Sequence, residues 1–289
     1  MSDVEAVLTL ERAEPGIGPR RKRKRVGRKG WVLPVYMALA IAYLFIPIGV
    51  MILFGFNNFK GKFNFTWEGF TLRHWRELFI FRDLTIALEN SLLIAAIVTV
   101  ISTVLGTLIA LALTRHKFRG RSGTNLFIFL PMATPEVVMG ASLLALFVTI
   151  GLARGLVTIL ISHIMFDISF VVVTVKARTQ GFNTEWEEAA KDLGATPWVT
   201  FWTVTFPLIL PGIMAAAALA FALSIDDYVV TTFNAGVGNT TLPLFIYGRI
   251  KFGVTPEINA ISTIIVAVTA IAILIAWRAG AFRGERTTA

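Results

Sequence analysis

Cysteine is absent from the 289 residues, which excludes disulfides, thiolate metal sites and a cysteine nucleophile. Histidine is nearly absent: His74, His116 and His163 are the three present, and none belongs to a His-Glu-x-x-His pair. Neither a Gly-x-Ser-x-Gly elbow nor a Gly-x-x-x-x-Gly-Lys-[Ser/Thr] phosphate loop occurs. An intramembrane enzyme is therefore a poor reading, and ATP hydrolysis has no site in this chain. Internal repeats are also lacking, which argues against an ion-coupled secondary transporter built from two matching halves, with His163, Asp167 and Glu136 relaying protons.

Charged residues are scarce as well, at 16%, while 55% of residues are hydrophobic and the mean hydropathy is +0.71. That balance exceeds what a soluble core hides and makes the bilayer the default solvent. Crossing a hydrocarbon layer ~30 Å thick takes roughly 20 helical residues whose backbone groups bond internally. Six runs qualify: Trp31 to Phe56, Ala87 to Thr114, Leu126 to Ile150, Gly155 to Val175, Leu208 to Thr231 and Ile258 to Trp277. The first is too long for the apolar core of a secretory signal, and no small-residue cleavage site follows it, so it is expected to be retained. The fold class expected is an all-α polytopic membrane protein with six transmembrane helices.

Basic residues set the expected orientation, because loops rich in Lys and Arg stay cytoplasmic. The stretch before Trp31 holds Arg12, Arg20, Arg21, Lys22, Arg23, Lys24, Arg25, Arg28 and Lys29, and the loop after the second run holds Arg115, Lys117, Arg119 and Arg121. Lys176, Arg178, Lys191, Arg278, Arg283 and Arg286 fall on the same side, against eight basic residues in the three opposite loops. Both termini are expected in the cytoplasm. The net charge of +9 is then explained by topology and by anionic lipid rather than by nucleic acid. Residues 1–30 read as a disordered, lipid-contacting basic tail, 31–280 as the six-helix membrane-spanning domain and 281–289 as a short cytoplasmic tail.

The stretch between the fourth and fifth runs, Lys176 to Phe206, is the most informative. Thr184 and Glu187 have the spacing of a capping box, opening a short helix from Glu185 to Leu193. Gly194 suits the left-handed residue that ends a helix, and Thr196 with Pro197 supplies an N-cap and first-turn proline for a second one. Pro207 and Pro211 are expected to interrupt that second helix. A hairpin over 184–206 with small Ala189 and Ala190 beside Glu188 can approach a groove on another protein closely; the plainer reading is an ordinary connecting loop.

The string Glu188-Ala189-Ala190, three residues, Gly194, then Val204-Thr205-Phe206-Pro207 closely resembles the EAA loop of the permeases of ABC importers, with Val204 and Phe206 in place of the usual Ile and Leu. The resemblance extends over roughly residues 30 to 280. It implies the type I importer permease (MetI-like) fold, no cofactor on this chain, and ATP with Mg on two separate ATPase subunits. It also implies a second permease subunit of different sequence, an extracytoplasmic substrate-binding protein, and residence in a bacterial inner membrane. Glu188, Ala189, Ala190 and Gly194 are the implied ATPase-coupling residues, moving the helices by alternating access.

Phe221-Ala-Leu-Ser-Ile-Asp226-Asp227-Tyr228, Leu242-Pro-Leu-Phe-Ile-Tyr247, Gly253-Val-Thr-Pro-Glu-Ile-Asn259 and Pro135-Glu136-Val-Val-Met-Gly140 resemble one permease of the spermidine/putrescine importers, which makes a polyamine the implied cargo. Carboxylates in a bilayer are costly and either pair or line a polar path. Glu136 and Asp167 fall near the middle of their runs, and Asp226 and Asp227 near the outer end of the fifth. Together with Tyr228 they are the candidate path, since a linear polycation needs spaced carboxylates and aromatic faces; Trp67, Trp75 and Phe233 are further candidate rings. The alternatives are local: Asp167 paired with His163, Glu136 capping a helix broken after Pro135, and Asp226 and Asp227 bonding free amides at a helix end. Asn57 to Ile86 and Thr232 to Glu257 are the loops expected to meet the binding protein.

Overall fold

The computed structural model describes residues 31–61, 63–78, 82–181 and 185–278. In chain order the helices are α1 (Val32–Phe54), α2 (Arg73–Glu77), α3 (Arg82–Arg115), α4 (Arg121–Ala133), α5 (Glu136–Thr149), α6 (Leu156–Gln180), α7 (Glu185–Asp192) and α8 (Pro197–Thr200). A π turn, Phe201–Thr205, then leads to α9 (Phe206–Asp226), α10 (Val229–Asn234), α11 (Leu242–Ile250) and α12 (Pro256–Arg278). No strand occurs among the described residues; Asn57 and Phe70 make one isolated bridge. The chain divides into two compact units, Met1–Gly49 and Val50–Ala289, and the sites described below lie in the second. The tails expected over 1–30 and 281–289 lie outside the described residues.

Among the described residues, five stretches are long and apolar enough to cross a membrane, and a sixth arises if α4 and α5 are one bent span. The run from Leu126 to Ile150 is broken at Pro135, as the capping alternative for Glu136 has it: α4 and α5 meet at 108°. Pro135 has no N–H to donate, and its ring forces the preceding residue out of helical geometry, so Thr134 is extended at φ −83° and ψ 132°. The Thr134 backbone N–H and hydroxyl both donate to the Leu130 carbonyl, at 3.0 and 2.7 Å, which closes α4. The fifth run is corrected at its end. Its helix ends at Asp226, Asp227 is extended at ψ 121°, and Val229–Asn234 forms a separate short helix.

α3, α6 and α9 pack against one another and form the centre of the second unit. Ala110 and Leu113 of α3, Val171, Val172 and Val175 of α6, Ala216 and Ala220 of α9 and Ile128 of α4 make its main apolar cluster. Without a hydrophobic drive between lipid-embedded helices, close backbone approach supplies the attraction, and small residues permit it. Gly106 shows how close: a Cβ there would stand 2.5 Å from Val171 Cγ1. A smaller cluster of Met139, Leu143 and Phe147 with Val230 fixes α10 on α5, where a Cβ on Gly140 would stand 2.7 Å from the Phe233 ring. The second contact carries Asp226 and Asp227, just ahead of α10, towards Glu136 at the start of α5.

Candidate functional site

Two polar constellations stand out against this apolar frame. The first is the hairpin of α7 and α8. α7 has Glu185, Glu187 and Glu188 in its first turn and Lys191 in its last, the distribution that a helix macrodipole favours. It ends as its residues demand: Gly194 takes φ +87°, its N–H donates to the Lys191 carbonyl at 2.8 Å, and the Ala195 N–H reaches back to Ala190 at 3.0 Å. Thr196 caps α8, its hydroxyl accepting from the Val199 N–H at 3.4 Å, with Pro197 opening the first turn.

Of the candidate coupling residues, Glu188, Ala189 and Gly194 are exposed and Ala190 is half-buried. The acid that turns inward is Glu187, whose neighbours the sequence did not reveal. One carboxylate oxygen accepts from Arg115 at the end of α3 and the other from the Thr205 hydroxyl in the π turn. Thr184, the other half of the expected capping box, lies outside the described residues, and the Glu187 side chain goes to Arg115 and Thr205. Burial by itself would raise the Glu187 carboxyl, but the hydrogen bonds from Arg115 and Thr205 and the charges of Arg115 and Lys191 hold it below its ordinary range. The expected break at Pro207 and Pro211 is also corrected. α9 runs through Pro211, and the irregularity falls earlier, where the Phe206 N–H donates to the Phe201 carbonyl across the wide π turn.

An aromatic stripe missed in the sequence, although its four-residue spacing is plain, covers the outside of the hairpin. Trp198 packs on Trp202 with ring centroids 5.7 Å apart, and Trp202 on Phe206 at 5.0 Å. Trp198 is 71% exposed and Trp202 47%. Trp186 and Leu193 are exposed as well.

The second constellation joins α6, the end of α9 and α10. Asp227 sits where the chain leaves α9, and its carboxylate accepts from the backbone N–H groups of Val230 and Thr231, at 3.3 and 2.8 Å, and from the Thr231 hydroxyl at 2.7 Å. His163 Nε2 stands 3.1 Å from the same carboxylate, and the other ring nitrogen is 2.9 Å from the Ser224 hydroxyl. The expected pairing of Asp167 with His163 is thus corrected: the imidazole is taken by Asp227, Ser224 and Thr231, which the break after α9 turns towards α6. Asp167 is 1% exposed, lines a small cavity with Ser162, His163, Ser224 and Asp227, and has one oxygen, Oδ2, without a hydrogen-bond partner.

Asp226 and Glu136, by contrast, are exposed. Asp167 and Asp227 line one small cavity, Asp226 precedes Asp227 at the end of α9, and Glu136 opens α5, the helix on which α10 packs. Beside them the Tyr228 ring lies 4.3 Å from that of Tyr247, and the Lys251 ammonium sits 5.1 Å from the centroid of Tyr247. Trp67 and Trp75 are engaged elsewhere, on Phe54 at 6.3 Å and on Phe56 at 5.0 Å.

Residues 102–282 match the family described as the binding-protein-dependent transport system inner membrane component. The chain belongs to that family. Among its relatives, the spermidine/putrescine transport system permease protein PotC of Escherichia coli is 39% identical over 251 residues, covering 86% of this chain and 92% of the relative. The putrescine transport system permease protein PotI of the same species is 37% identical over 259 residues, covering 87% and 91%. In fold, this permease is similar to a chain of a bacterial ABC transporter involved in the import of the acidic polysaccharide alginate, with a TM-score of 0.65 at 17% identity over 89% of this chain and 96% of that one. It is also similar to a chain of the MetNI methionine ABC transporter, with a TM-score of 0.55 at 17% identity over 71% and 95%. The protein is therefore a non-catalytic, membrane-spanning permease subunit of an ABC importer with the MetI-like helical fold.

Proposed function

We propose that this permease passes a polyamine such as spermidine or putrescine across the membrane and couples that passage to a separate ATPase. The observation that carries the reading is the placing of Asp167 and Asp227 on one cavity, with Asp226 at the adjoining end of α9, Glu136 at the start of the helix on which α10 packs, and Tyr228, paired with Tyr247, next in the chain. An extended polycation entering a bilayer loses its hydration, and spaced carboxylates with aromatic faces replace it. The acids divide by environment. Asp227 is saturated by Thr231, Val230 and His163, so it holds the break after α9 in shape, while exposed Asp226 and Glu136 with Tyr228 meet the cargo. The relatives named for spermidine and putrescine transport support the same cargo class.

The assembly comprises two ATPase subunits holding ATP and Mg, a second permease and an extracytoplasmic binding protein, in a bacterial inner membrane with both termini in the cytoplasm. The similarity in fold to an alginate transporter solved in complex with a substrate-bound periplasmic protein, at a TM-score of 0.62, is consistent with a binding-protein partner, for which the loops Asn57 to Ile86 and Thr232 to Glu257 are the proposed docking surface. The hairpin over 184–206 presents Glu188, Ala189, Ala190 and Gly194 to the ATPase. Closure of the ATPase pair pulls that hairpin together with its counterpart, and the spans rock to open the path outward.

The test is ATPase activity of the full complex in lipid with its binding protein, with and without spermidine or putrescine. Stimulation by a polyamine that falls in Asp226→Asn supports both cargo and path. Stimulation by some other solute alone overturns the polyamine reading and leaves the family assignment standing.

A further inference from the structure

Every described residue of α7 other than Glu187 is exposed or half-buried, so Glu187 is the buried side chain of the first helix of the hairpin. Its carboxylate joins three segments that are distant in sequence. Arg115 is the last residue of α3, which with 34 residues is ~50 Å long at 1.5 Å per residue and so outreaches the hydrocarbon core. Thr205 closes the π turn from which α9 descends, and is 3% exposed. In the salt bridge the Arg115 side chain is 25% exposed and that of Glu187 9%, so the contact is shielded on the carboxylate side. Charge-assisted hydrogen bonds to a carboxylate are among the strongest that a protein makes, and shielding from water strengthens them further. The π turn is part of the same device. One extra residue in a helical turn shifts the following register by about 100°, which lets the Thr205 hydroxyl meet Glu187 while α9 keeps its apolar face on α3 and α6.

We propose that Glu187 is the positioning residue of the coupling step: by binding Arg115 and Thr205 together it makes α7 one rigid body with the end of α3 and the head of α9. A displacement of the hairpin is then passed to two membrane helices at once. Without the joint, α7 tilts on its own connections and the displacement is dissipated. Glu187 projects about 100° around α7 from its neighbour Glu188 and is buried where Glu188 is exposed, so its role is separate from contact with the ATPase; it rests on the coupling role proposed above for the hairpin.

The experiment uses the full complex reconstituted in lipid with binding protein and polyamine, in Glu187→Gln, Thr205→Val, Arg115→Glu and the exchanged pair Arg115→Glu with Glu187→Arg, alongside Ala189→Trp. Co-purification of the ATPase, the ratio of stimulated to basal ATPase and uptake per ATP hydrolysed are read for each. Glu187→Gln and Thr205→Val are expected to keep the ATPase bound and to lower the stimulation ratio and uptake per ATP by roughly fivefold or more, the scale of measured coupling between sites. Arg115→Glu alone loses coupling, and the exchanged pair regains it. Unchanged coupling in Glu187→Gln and Thr205→Val, with coupling lost in Ala189→Trp, overturns the joint and spares the hairpin. Unchanged coupling in Ala189→Trp overturns the hairpin's role and the joint with it. Loss of the ATPase from Glu187→Gln makes Glu187 an assembly contact and also overturns the proposal.

Discussion

His163 and Asp227 face each other at 3.1 Å, from the first half of α6 to the break after α9. The contact bridges two helices at a point where one of them has released its backbone groups, and Asp227 accepts from two of those groups as well. Of the two readings the sequence offers for Asp227, cargo ligand or acceptor for free amides at a helix end, the structure bears out the second. Replacing Asp227 with Ala leaves the His163 ring, the Thr231 hydroxyl and two N–H groups without their acceptor, at a cost of about 1–3 kcal/mol for each buried donor left bare. Asp227→Ala is expected to lower the thermal midpoint of the purified permease clearly, and Asp227→Asn less. An unchanged midpoint in Asp227→Ala would assign the residue to the cargo alone.

Asp226 and Glu136 carry the opposite expectation. Both are exposed, and surface substitutions away from packed features change stability by about ±0.5 kcal/mol. Asp226→Asn and Glu136→Gln should therefore leave the thermal midpoint in place and weaken polyamine-stimulated ATPase. Loss of stability without loss of stimulation would remove them from the path.

Gly106 tests the closeness of α3 and α6. A Cβ meets Val171 at 2.5 Å and the Ile168 carbonyl at 3.3 Å, so Gly106→Ala already requires the helices to shift, and Gly106→Leu overpacks the crossing. Overpacking of this kind costs about 1–3 kcal/mol. A thermal melt of Gly106→Leu at the wild-type midpoint would show that the crossing is looser than described.

The pH dependence of the Glu187 joint has a definite sign. A carboxyl held below its ordinary value of 4.5 in the folded protein stabilises it fully above that value and ceases to do so as pH falls through the lower, folded value. The difference in thermal midpoint between wild type and Glu187→Gln is expected to be constant from neutral pH down to roughly one unit above 4.5 and to shrink below it. A difference that widens on acidification would contradict the ionised pairing with Arg115.

The exposed face of the hairpin gives a separate expectation. Trp198 and Trp202 pack on each other and on Phe206 while remaining largely open, an arrangement that a partner covers at little ordering cost. Trp198→Ala is expected to reduce co-purification of the ATPase, and a large side chain in Ala189→Trp to uncouple uptake from hydrolysis with membrane insertion intact. Full ATPase retention and normal uptake in both would place the partner's surface elsewhere.

Local chemistry determined much of this protein without help from the fold. Long apolar runs require helices in a bilayer whatever their neighbours are, and Gly194, Thr196 and Pro197 start and stop helices through their own backbone preferences. Pro135 likewise announced a break after Thr134, although not its 108° angle, which depends on what α4 and α5 pack against. What only the tertiary structure decided were the partners of buried polar groups. His163 is four residues from Asp167, one turn away on α6, yet it binds Asp227; Glu187 stands next to Glu188, yet only Glu187 turns inward to Arg115 and Thr205. Sequence spacing describes neighbours along one helix, whereas a carboxylate shielded from water takes the best donor that any helix brings within reach, and that choice is made by packing.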